Sequence, residues 1–477
     1  MKLDFFIMSV TILPAILLAL ICEINAVPTQ CSKPVKNKSD YAQVLGLSLL
    51  FYEAQRSGKL PKNNRILWRG DSALYDRGSN GEDLTGGYYD AGDFVKFGFT
   101  MAFTTTLLAW GAVKWPESYK AAGQLDEIRR TIKWSTDYFI KCHVSENVLY
   151  GQVGDFPIDH MFWGRPEELN TTRPTYKIDA EHPGSDLAGE TAAALAASSI
   201  VFSSVDPEYS AKCLKHAKEL YKFADVYRGL YHEAIRGAER YYESTDYGDE
   251  LAWAAIWLFK ATEDTKYFDD AVHHYQHFHL KERPNAFFYN KKVAGIQLLL
   301  AELTELSEYQ NATRAFCDFS MLQQKRTPKG LLFIDKSGTL SHAANVAFLC
   351  LVAADSPEIG DSQKYRQFAK EQIDYMLGRA GRSYVIGYGN NPPKQPHHAA
   401  SSCPNRPAPC GWQEFIKNTP NPHILYGALV SGPDEVDLFK DYRAEYIYTE
   451  VTLDYNAGFT SALAGLLQLQ LNTLENC

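Results

Sequence analysis

The sequence predicts an all-α fold in which an inner ring of helices is enclosed by an outer ring. Two kinds of helical segment alternate roughly along the chain. Segments of one kind are apolar on nearly every side, and a helix without a polar face must be covered all round. Segments of the other kind carry one apolar stripe, as expected of helices that cover the first kind from outside. The periodicity indicates about a dozen helices, whereas strand-like runs such as residues 383–386 are few and short.

The helices with one apolar stripe are predicted from the spacing of their apolar residues and from the residues that start them. An apolar stripe at helical intervals runs through residues 125–139 and another through residues 369–377. Asp206 followed by Pro207 is a typical N-cap and first-turn pair, and a stripe over residues 209–224 follows it. The segments that are apolar all round are residues 187–202, 251–259, 293–303, 343–354 and 457–471.

Composition indicates one globular, exported domain. The chain has 477 residues, 45% of them apolar, and contains no linker or low-complexity run, so we predict a single domain over residues 27–477. The net charge of −9 argues against nucleic acid or an anionic membrane surface as a partner. Two long loops, residues 59–87 and 387–422, hold most of the unusual residues, and long loops in compact domains are commonly functional.

The N-terminus has the features of a secretory signal over residues 1–26. Lys2 precedes an apolar stretch, residues 7–21, and Ile-Asn-Ala at residues 24–26 provides a cleavage site. The alternative, an uncleaved anchor, is disfavoured because the stretch is short and Pro14 interrupts it. We therefore expect a secreted protein that acts outside the cell.

Export makes disulfides and glycans possible. Cys403 and Cys410 bracket a Pro-rich loop and are the best local pair for a disulfide, while cysteines in helical patterns are expected to be buried thiols. The chain has no Cys-x-x-Cys pair, which argues against a cysteine zinc site. N-glycosylation sequons occur at Asn37, Asn170 and Asn311.

Three carboxylates carry most of the chemical information. Asp90 and Asp93 lie three residues apart in residues 86–93, Gly-Gly-Tyr-Tyr-Asp-Ala-Gly-Asp, and can face one small target. Glu450 stands far downstream, before an Asp-Tyr-Asn-Ala-Gly-Phe run at residues 454–459. An isolated Asp-x-x-Asp is more often a solvated loop or a helix cap. Hydrolysis of a glycosidic bond nevertheless uses this combination: one carboxylate holds the attacking water, and a separate carboxylic acid protonates the leaving oxygen.

Several motifs in the same order resemble those of glycoside hydrolase family 9, which contains endo-β-1,4-glucanases. The resemblance covers about residues 35–471 and is closest to the secreted animal type. It begins with Trp-Arg-Gly-Asp-Ser at residues 68–72 and the Asp90–Asp93 run. Further matching segments are residues 159–166, 183–191, 387–392, 396–398, 432–434 and the region around Glu450.

The resemblance implies an (α/α)6 barrel with long active-site loops and inverting hydrolysis of β-1,4-glucosidic bonds. It assigns Asp93 as general base, Asp90 as the partner that helps to hold water, and Glu450 as general acid. Inversion predicts that carboxyl oxygens of Asp93 and Glu450 lie roughly 6.5–9.5 Å apart. The resemblance also places His160, Trp163 and His397 in the substrate cleft. Trp163 could stack on a sugar ring, although a lone Trp or His is often a packing residue.

We expect that no cofactor is required, but some members of glycoside hydrolase family 9 hold a structural Ca²⁺. Thr245, Asp246, Asp249 and Glu250 match that region, and oxygen donors suit this ion. Asn290 stands where such members often have Asp, so we expect at most a weak site. The alternative is that the acidic residues simply favour the first turn of the next helix.

The sequence departs from the family pattern in the expected cleft. Ala399 replaces a substrate-binding Arg, Ser337 a stacking Trp, and Ser341 a second Arg. We expect all three residues to line the cleft and to weaken the binding of the sugar chain there. The leading hypothesis is a monomeric, secreted endo-β-1,4-glucanase that acts on cellulose or related β-glucans. The alternatives are the same mechanism on a xylan- or xyloglucan-type polymer, or a weakly active glycan-binding paralogue.

Overall fold

The structure, a computed structural model, describes residues 40–475, and twelve long helices in this range form two concentric rings. Residues 1–26, predicted as a secretory signal, and the sequon at Asn37 lie outside the described residues. The long helices are α1 Tyr41–Ala54, α2 Gly98–Lys114, α3 Leu125–Cys142, α4 Ser185–Phe202, α5 Pro207–Val226, α6 Gly248–Thr262, α7 Thr265–His277, α8 Val293–Leu303, α9 Ser307–Leu322, α10 Thr339–Ala353, α11 Ser362–Asp374 and α12 Leu453–Glu475.

The even-numbered helices form the inner ring. Each of them contacts the next even-numbered helix, and α12 contacts α2, so the ring is closed. The odd-numbered helices lie outside: α3 packs on α2 and α4, α5 on α4 and α6, and α1 on α12. Likewise, α7 packs on α6, α9 on α8 and α10, and α11 on α10 and α12. This arrangement is an (α/α)6 barrel, as the sequence and the resemblance predict.

Burial explains why the two helix types alternate. In α4 nearly every residue is buried, including its Ser and Thr side chains, because inner helices have neighbours on all sides. In α5 the buried residues follow the predicted stripe, from Tyr209 through Cys213 to Ala224. The carboxylate of Asp206 accepts a hydrogen bond from the Tyr209 backbone N–H at 3.1 Å and caps the helix as expected.

Aromatic side chains fill part of the inner ring. Trp110 on α2 and Trp253 and Trp257 on α6 are fully buried. Their ring centroids lie 5.7–5.8 Å apart in edge-on arrangements, which is the favoured geometry of aromatic pairs. The barrel interior is therefore a packed core rather than a channel.

A small antiparallel sheet supports the loops between α1 and α4. Its strands are β1 Lys96–Phe97, β2 His143–Ser145, β3 Val148–Val153 and β4 Thr175–Ile178, and β3 pairs with each of the other three. The strand-like pattern at residues 383–386 does not become a strand, because only Val385 forms a single bridge, with Leu429. That segment lies in a loop instead of pairing with a neighbouring strand.

The remaining chain forms loops and short helices. Cys403 and Cys410 form a disulfide, as predicted, and Cys142, Cys213, Cys317 and Cys350 are buried thiols. Within residues 40–475 no helix is long and apolar enough to cross a membrane. The short helices are Pro116–Ala121, Phe156–Asp159, Tyr231–Ala234, Glu239–Tyr242, Ala399–Ser402, Trp412–Ile416 and Tyr446–Thr449, with a 3₁₀ turn at Pro166–Glu168 and a π turn at Tyr375–Arg379.

Candidate active site

A cleft of about 940 Å³ opens among the loops that lead into the inner helices. Its lining includes Asp90 and Asp93 before α2, residues 240–242 before α6, and Phe288 and Tyr289 before α8. The first turn of α10 and, at the start of α12, Glu450 and Asp454 also line it. Because successive inner helices all enter the ring from this side, residues that are far apart in sequence meet in one cleft.

The Asp90–Asp93 loop is held by close backbone contacts. The Ala399 N–H donates to the Gly92 carbonyl at 2.8 Å, and the Leu453 N–H donates to the Asp90 carbonyl at 2.9 Å. A Cβ at Gly92 would lie 2.0 Å from the His397 carbonyl oxygen, so only glycine allows this approach. The close approach of the His397 carbonyl therefore explains why a glycine lies between the two aspartates.

Asp90 is the more enclosed of the two aspartates. Its Oδ1 accepts a hydrogen bond from the Thr100 hydroxyl at 2.5 Å, and its Oδ2 accepts one from the Tyr242 hydroxyl. Burial, followed by the nearby charge of Asp454, raises the pKa of Asp90 to about 8. Both oxygens are thus anchored, which suits a carboxyl group that orients its neighbours.

Asp93 is more open and keeps the character of a base. Its side chain is 17% exposed, its Oδ1 accepts a hydrogen bond from the Val95 N–H at 3.1 Å, and His160 Nε2 lies 3.9 Å from Oδ2. Burial raises the pKa of Asp93 to about 6. Asp93 is therefore mostly ionised at neutral pH and can accept a proton.

Glu450 has the opposite protonation state. The His397 N–H donates to the Thr449 carbonyl at 3.0 Å, and the Ser431 N–H donates to the Glu450 carbonyl at 2.8 Å, which fixes the backbone. Burial and then the charges of Asp93 and Asp90 raise the pKa of Glu450 to about 8. Glu450 therefore keeps its proton at neutral pH, while Asp93 in the same cleft has lost its own. Because the pKa values of the two carboxyl groups differ in this way, Glu450 is assigned as the acid and Asp93 as the base.

Two of the three predicted substrate-binding residues lie at the cleft. His160 and His397 both line it, and His397 Nδ1 is hydrogen-bonded to the Arg443 carbonyl at 2.8 Å, so it donates from that nitrogen. Trp163 is only 7% exposed; its indole N–H donates to Ser402 Oγ at 2.9 Å and its ring packs edge-on against His397. Its position indicates support for His397 rather than a stacking surface.

The structure adds site residues to which sequence reasoning gave no role. Asp454 lines the cleft, and burial raises its pKa to about 6. Asp159 is buried beside Asp93, and the Phe94 N–H donates to its Oδ2 at 3.1 Å. Both residues lie in segments that resemble family 9 motifs, and this resemblance was the sequence feature that could have indicated a role for them. Nothing in the sequence around Tyr242 indicated its contact with Asp90.

In the loop expected to bind calcium, some of the donor groups contact other parts of the protein. Asp246 Oδ1 accepts from the Gly248 N–H at 2.8 Å at the start of α6, and Glu250 forms a buried ion pair with Lys292. The Thr245 hydroxyl accepts from the Asn290 amide at 3.3 Å, and Asp249 Oδ2 accepts from the Lys292 N–H at 2.6 Å. Asp249 Oδ1 and Glu250 Oε2 are buried without a hydrogen-bond partner within residues 40–475, and calcium binding stays a prediction from the resemblance.

Two of the three departures from the family pattern lie where they were expected. Ser337 and Ser341 line the cleft beside α10. The expectation for Ala399 is wrong, because this residue is 1% exposed and packs in a small apolar cluster with Tyr89 and Phe94. The short helix that it starts is tied to Gly92, so the Ala399 side chain is covered by the core and does not reach the cleft wall.

The fold and the site together define a class of enzyme. An ionised base and a protonated acid in one open cleft are what cleavage of a glycosidic bond by water requires. The protein is thus a glycoside hydrolase built on an (α/α)6 barrel.

Comparison with known proteins identifies the family. The glycosyl hydrolase family 9 profile matches residues 41–463, and the chain belongs to this family. "Endoglucanase A" of Bacillus pumilus is 44% identical over 452 residues, which are 90% of this chain and 66% of that protein. The chain thus spans slightly less than two thirds of this relative.

Solved structures agree with the family. The endoglucanase of the termite Nasutitermes takasagoensis superposes with a TM-score of 0.89 at 55% identity, covering 91% of this chain and 99% of that one. The cellulase Cel9M of C. cellulolyticum in complex with cellobiose superposes with a TM-score of 0.85 at 36% identity, again over 91% and 99% of the two chains.

Proposed function

We propose that the protein is an endo-β-1,4-glucanase that hydrolyses internal bonds of cellulose or related β-glucans with inversion of the anomeric carbon. The observation that carries the proposal is that Asp90, Asp93 and Glu450 line one open cleft, where burial and neighbouring carboxylates raise the pKa of Glu450 above that of Asp93. The endoglucanase relatives and the cellobiose complex support the substrate class.

The chemistry follows from these protonation states. Asp93, assisted by Asp90, orients a water molecule whose oxygen attacks the anomeric carbon while one of its protons passes to Asp93. Glu450 gives its proton to the glycosidic oxygen, and the bond between that oxygen and the anomeric carbon breaks. The products leave with Asp93 protonated and Glu450 ionised, and proton exchange with solvent restores the starting state.

The cleft wall suits a chain of sugar rings. Phe288, Tyr289, Tyr241 and Tyr446 line it, and aromatic faces bind the apolar faces of pyranose rings. We propose that His160 and His397 hydrogen-bond sugar hydroxyls and that Trp163 acts by holding His397 in place. An open cleft admits a chain in its middle, which suits internal cleavage.

The decisive experiment removes the acid without removing its shape. Glu450→Gln should lower kcat on a β-glucan by about 10²–10⁴-fold, the usual contribution of a general acid. A cellobioside with a good phenolate leaving group needs little protonation, so its hydrolysis should fall far less. Equal losses on both substrates would contradict the role of Glu450. Proton NMR of the first anomer released by the unmodified enzyme tests inversion directly.

One observation favours a different substrate, a xylan- or xyloglucan-type polymer. Ser337 and Ser341 line the cleft where the family pattern has Trp and Arg, so the wall is wider and less cationic there. That space could admit a xylan or a branched xyloglucan with the same acid and base. Reducing-sugar release from a panel of soluble β-glucans and xylans ranks the candidates. A preference for xylan would replace the cellulase proposal and leave the mechanism intact.

We also propose that the enzyme acts as a secreted monomer. The signal-like segment at residues 1–26 motivates export, and the sequons at Asn170 and Asn311 are on exposed residues. Expression in a eukaryotic secretory host should deliver the protein to the medium, and treatment with a glycosidase specific for N-glycans should reduce its mass. Retention inside the cell would contradict export.

A further inference from the structure

Three side chains of the types that bind metal ions lie together on the outer ring, away from the residues that line the cleft. They are His143 at the start of β2 and His216 and Glu219 on α5. One donor atom of each of the three lies within 4.8 Å of the other two. We propose that these three residues form a binding site for a divalent transition-metal ion of the Zn²⁺ type, with water as the fourth ligand.

The helix geometry brings two of the ligands together. His216 and Glu219 are three residues apart on α5, and residues at this spacing share one face of a helix. Both border the buried stripe of α5 and are partly covered, so their heads lie near the contact with neighbouring elements. The same spacing of Glu and His on a helix recurs in metal sites of helix bundles.

His143 completes the set from another element. It directly follows α3 and is only 5% exposed. Its Nδ1 lies 2.8 Å from His216 Nδ1, so the two nitrogens already face each other. Two nitrogens bound to one tetrahedral Zn²⁺ at about 2.0–2.1 Å lie about 3.3–3.4 Å apart, so the rings need to separate by only about 0.5 Å.

The tautomer of His143 suits a ligand. Its Nε2 faces the Glu146 carbonyl at 3.4 Å, and because a carbonyl only accepts, Nε2 carries the hydrogen. The lone pair is then on Nδ1 and points at His216. Ligating histidines usually donate their other N–H to a carbonyl or carboxylate in this way. When the metal binds, the hydrogen of His216 shifts from Nδ1 to Nε2, and both rings stay neutral.

The donor set selects the class of ion. Two imidazole nitrogens and one carboxylate oxygen suit Zn²⁺ and its neighbours in the first transition row, whereas Ca²⁺ and Mg²⁺ prefer all-oxygen sites. Lys215 Nζ lies 3.8 Å from Glu219 Oε1 and competes for it, but the Lys215 side chain is 71% exposed and can turn into solvent. The site would tie the α3–β2 junction to α5.

Two other groups could hold the same ion and must be separated from this one. Asp93, Asp159 and His160 in the cleft also have donor atoms within 4.8 Å of one another. His273 and His277 are exposed, one turn apart on α7, with ring centroids 5.7 Å apart. An ion on either group would be unaffected by changes at His216 or Glu219.

The test uses the full-length protein, stripped with a chelator and then titrated with Zn²⁺ alone. Calorimetry and native mass spectrometry should show one tight ion per chain that is weakened at least about tenfold by His216→Ala and by Glu219→Gln, and unchanged by His273→Ala. Bound Co²⁺ should give the visible spectrum of a four-coordinate site, and His216→Ala should abolish it.

Stability gives a readout that does not depend on activity. Zn²⁺ should raise the melting temperature of the unmodified protein and of His273→Ala equally, and that of Glu219→Gln clearly less, because an ion that binds only the folded state stabilises it in proportion to its affinity. Glu219→Gln keeps the shape of the side chain, so the comparison holds even where His216→Ala fails to fold. Equally tight binding by Glu219→Gln, or no stoichiometric ion in the unmodified protein, overturns the proposal.

Discussion

Replacing Lys292 with Met should strongly destabilise the barrel. Lys292 is 0% exposed immediately before α8, and its Nζ forms an ion pair with Glu250 and lies 3.4 Å from Glu190 Oε2. Both carboxylates are also 0% exposed. Removing the cation leaves two acidic groups in the core without their counter-charge.

The structure allows the size of this effect to be worked out. Breaking a buried ion pair by removing one partner costs about 3–5 kcal/mol, because the remaining charge stays desolvated. Methionine fills the volume of the lysine stem, so the cavity contribution is small. The expected loss in free energy of unfolding at neutral pH is therefore about 3–5 kcal/mol. A further change of Glu250 to Gln should recover part of it.

The loss should depend on pH in a definite direction. Burial already raises the pKa of Glu190 and Glu250 in the folded protein. Without Lys292 these pKa values rise further above those of the unfolded chain, so the folded state binds more protons. Stability is then lost as pH rises from the unfolded pKa towards the folded one. Lys292→Met should thus be closer to the unmodified protein at about pH 5 than at about pH 8.

Urea denaturation followed by tryptophan fluorescence measures the effect, since the Trp253 indole donates to Glu190 Oε1 at 3.1 Å. Lys325→Met is the matched control, because Lys325 pairs with Glu435 at the surface, with side chains 56% and 54% exposed. Exposed pairs contribute about 0–1 kcal/mol. A loss in Lys292→Met no larger than in the control, or one that is equal at both pH values, would refute the reasoning.

Three further predictions concern the cleft and its surroundings. The kcat/KM on a soluble β-glucan should rise with pH through about 6 as Asp93 ionises and fall through about 8 as Glu450 loses its proton; a flat profile across that interval would contradict the assignment. Ser337→Trp should lower KM about fivefold for a stacking contribution of about 1 kcal/mol, and an unchanged KM would place Ser337 away from the bound chain. Ala399→Arg should destabilise the protein by about 1–3 kcal/mol through overpacking; improved kcat/KM with unchanged stability would show that its side chain does reach the cleft.

The sequence by itself determined the ring architecture and the chemical groups. Helical periodicity is local, and whether a helix has one apolar face or many records how many neighbours it needs. That pattern was sufficient to predict the two kinds of helix that form the inner and outer rings of α1–α12. Glycine-rich Asp motifs and the distant Glu450 are also visible locally, and the resemblance supplied their roles.

Tertiary structure alone decided which state each group is in and which groups meet. The pKa of Glu450 exceeds that of Asp93 because burial and three neighbouring carboxylates raise it, and two of these, Asp93 and Asp90, come from a chain segment hundreds of residues away. Glu250 forms a buried ion pair with Lys292, and Ala399 lies in the core rather than in the cleft, for the same reason. Charge and burial depend on contacts distant in sequence, and the closing of the inner ring is what creates them.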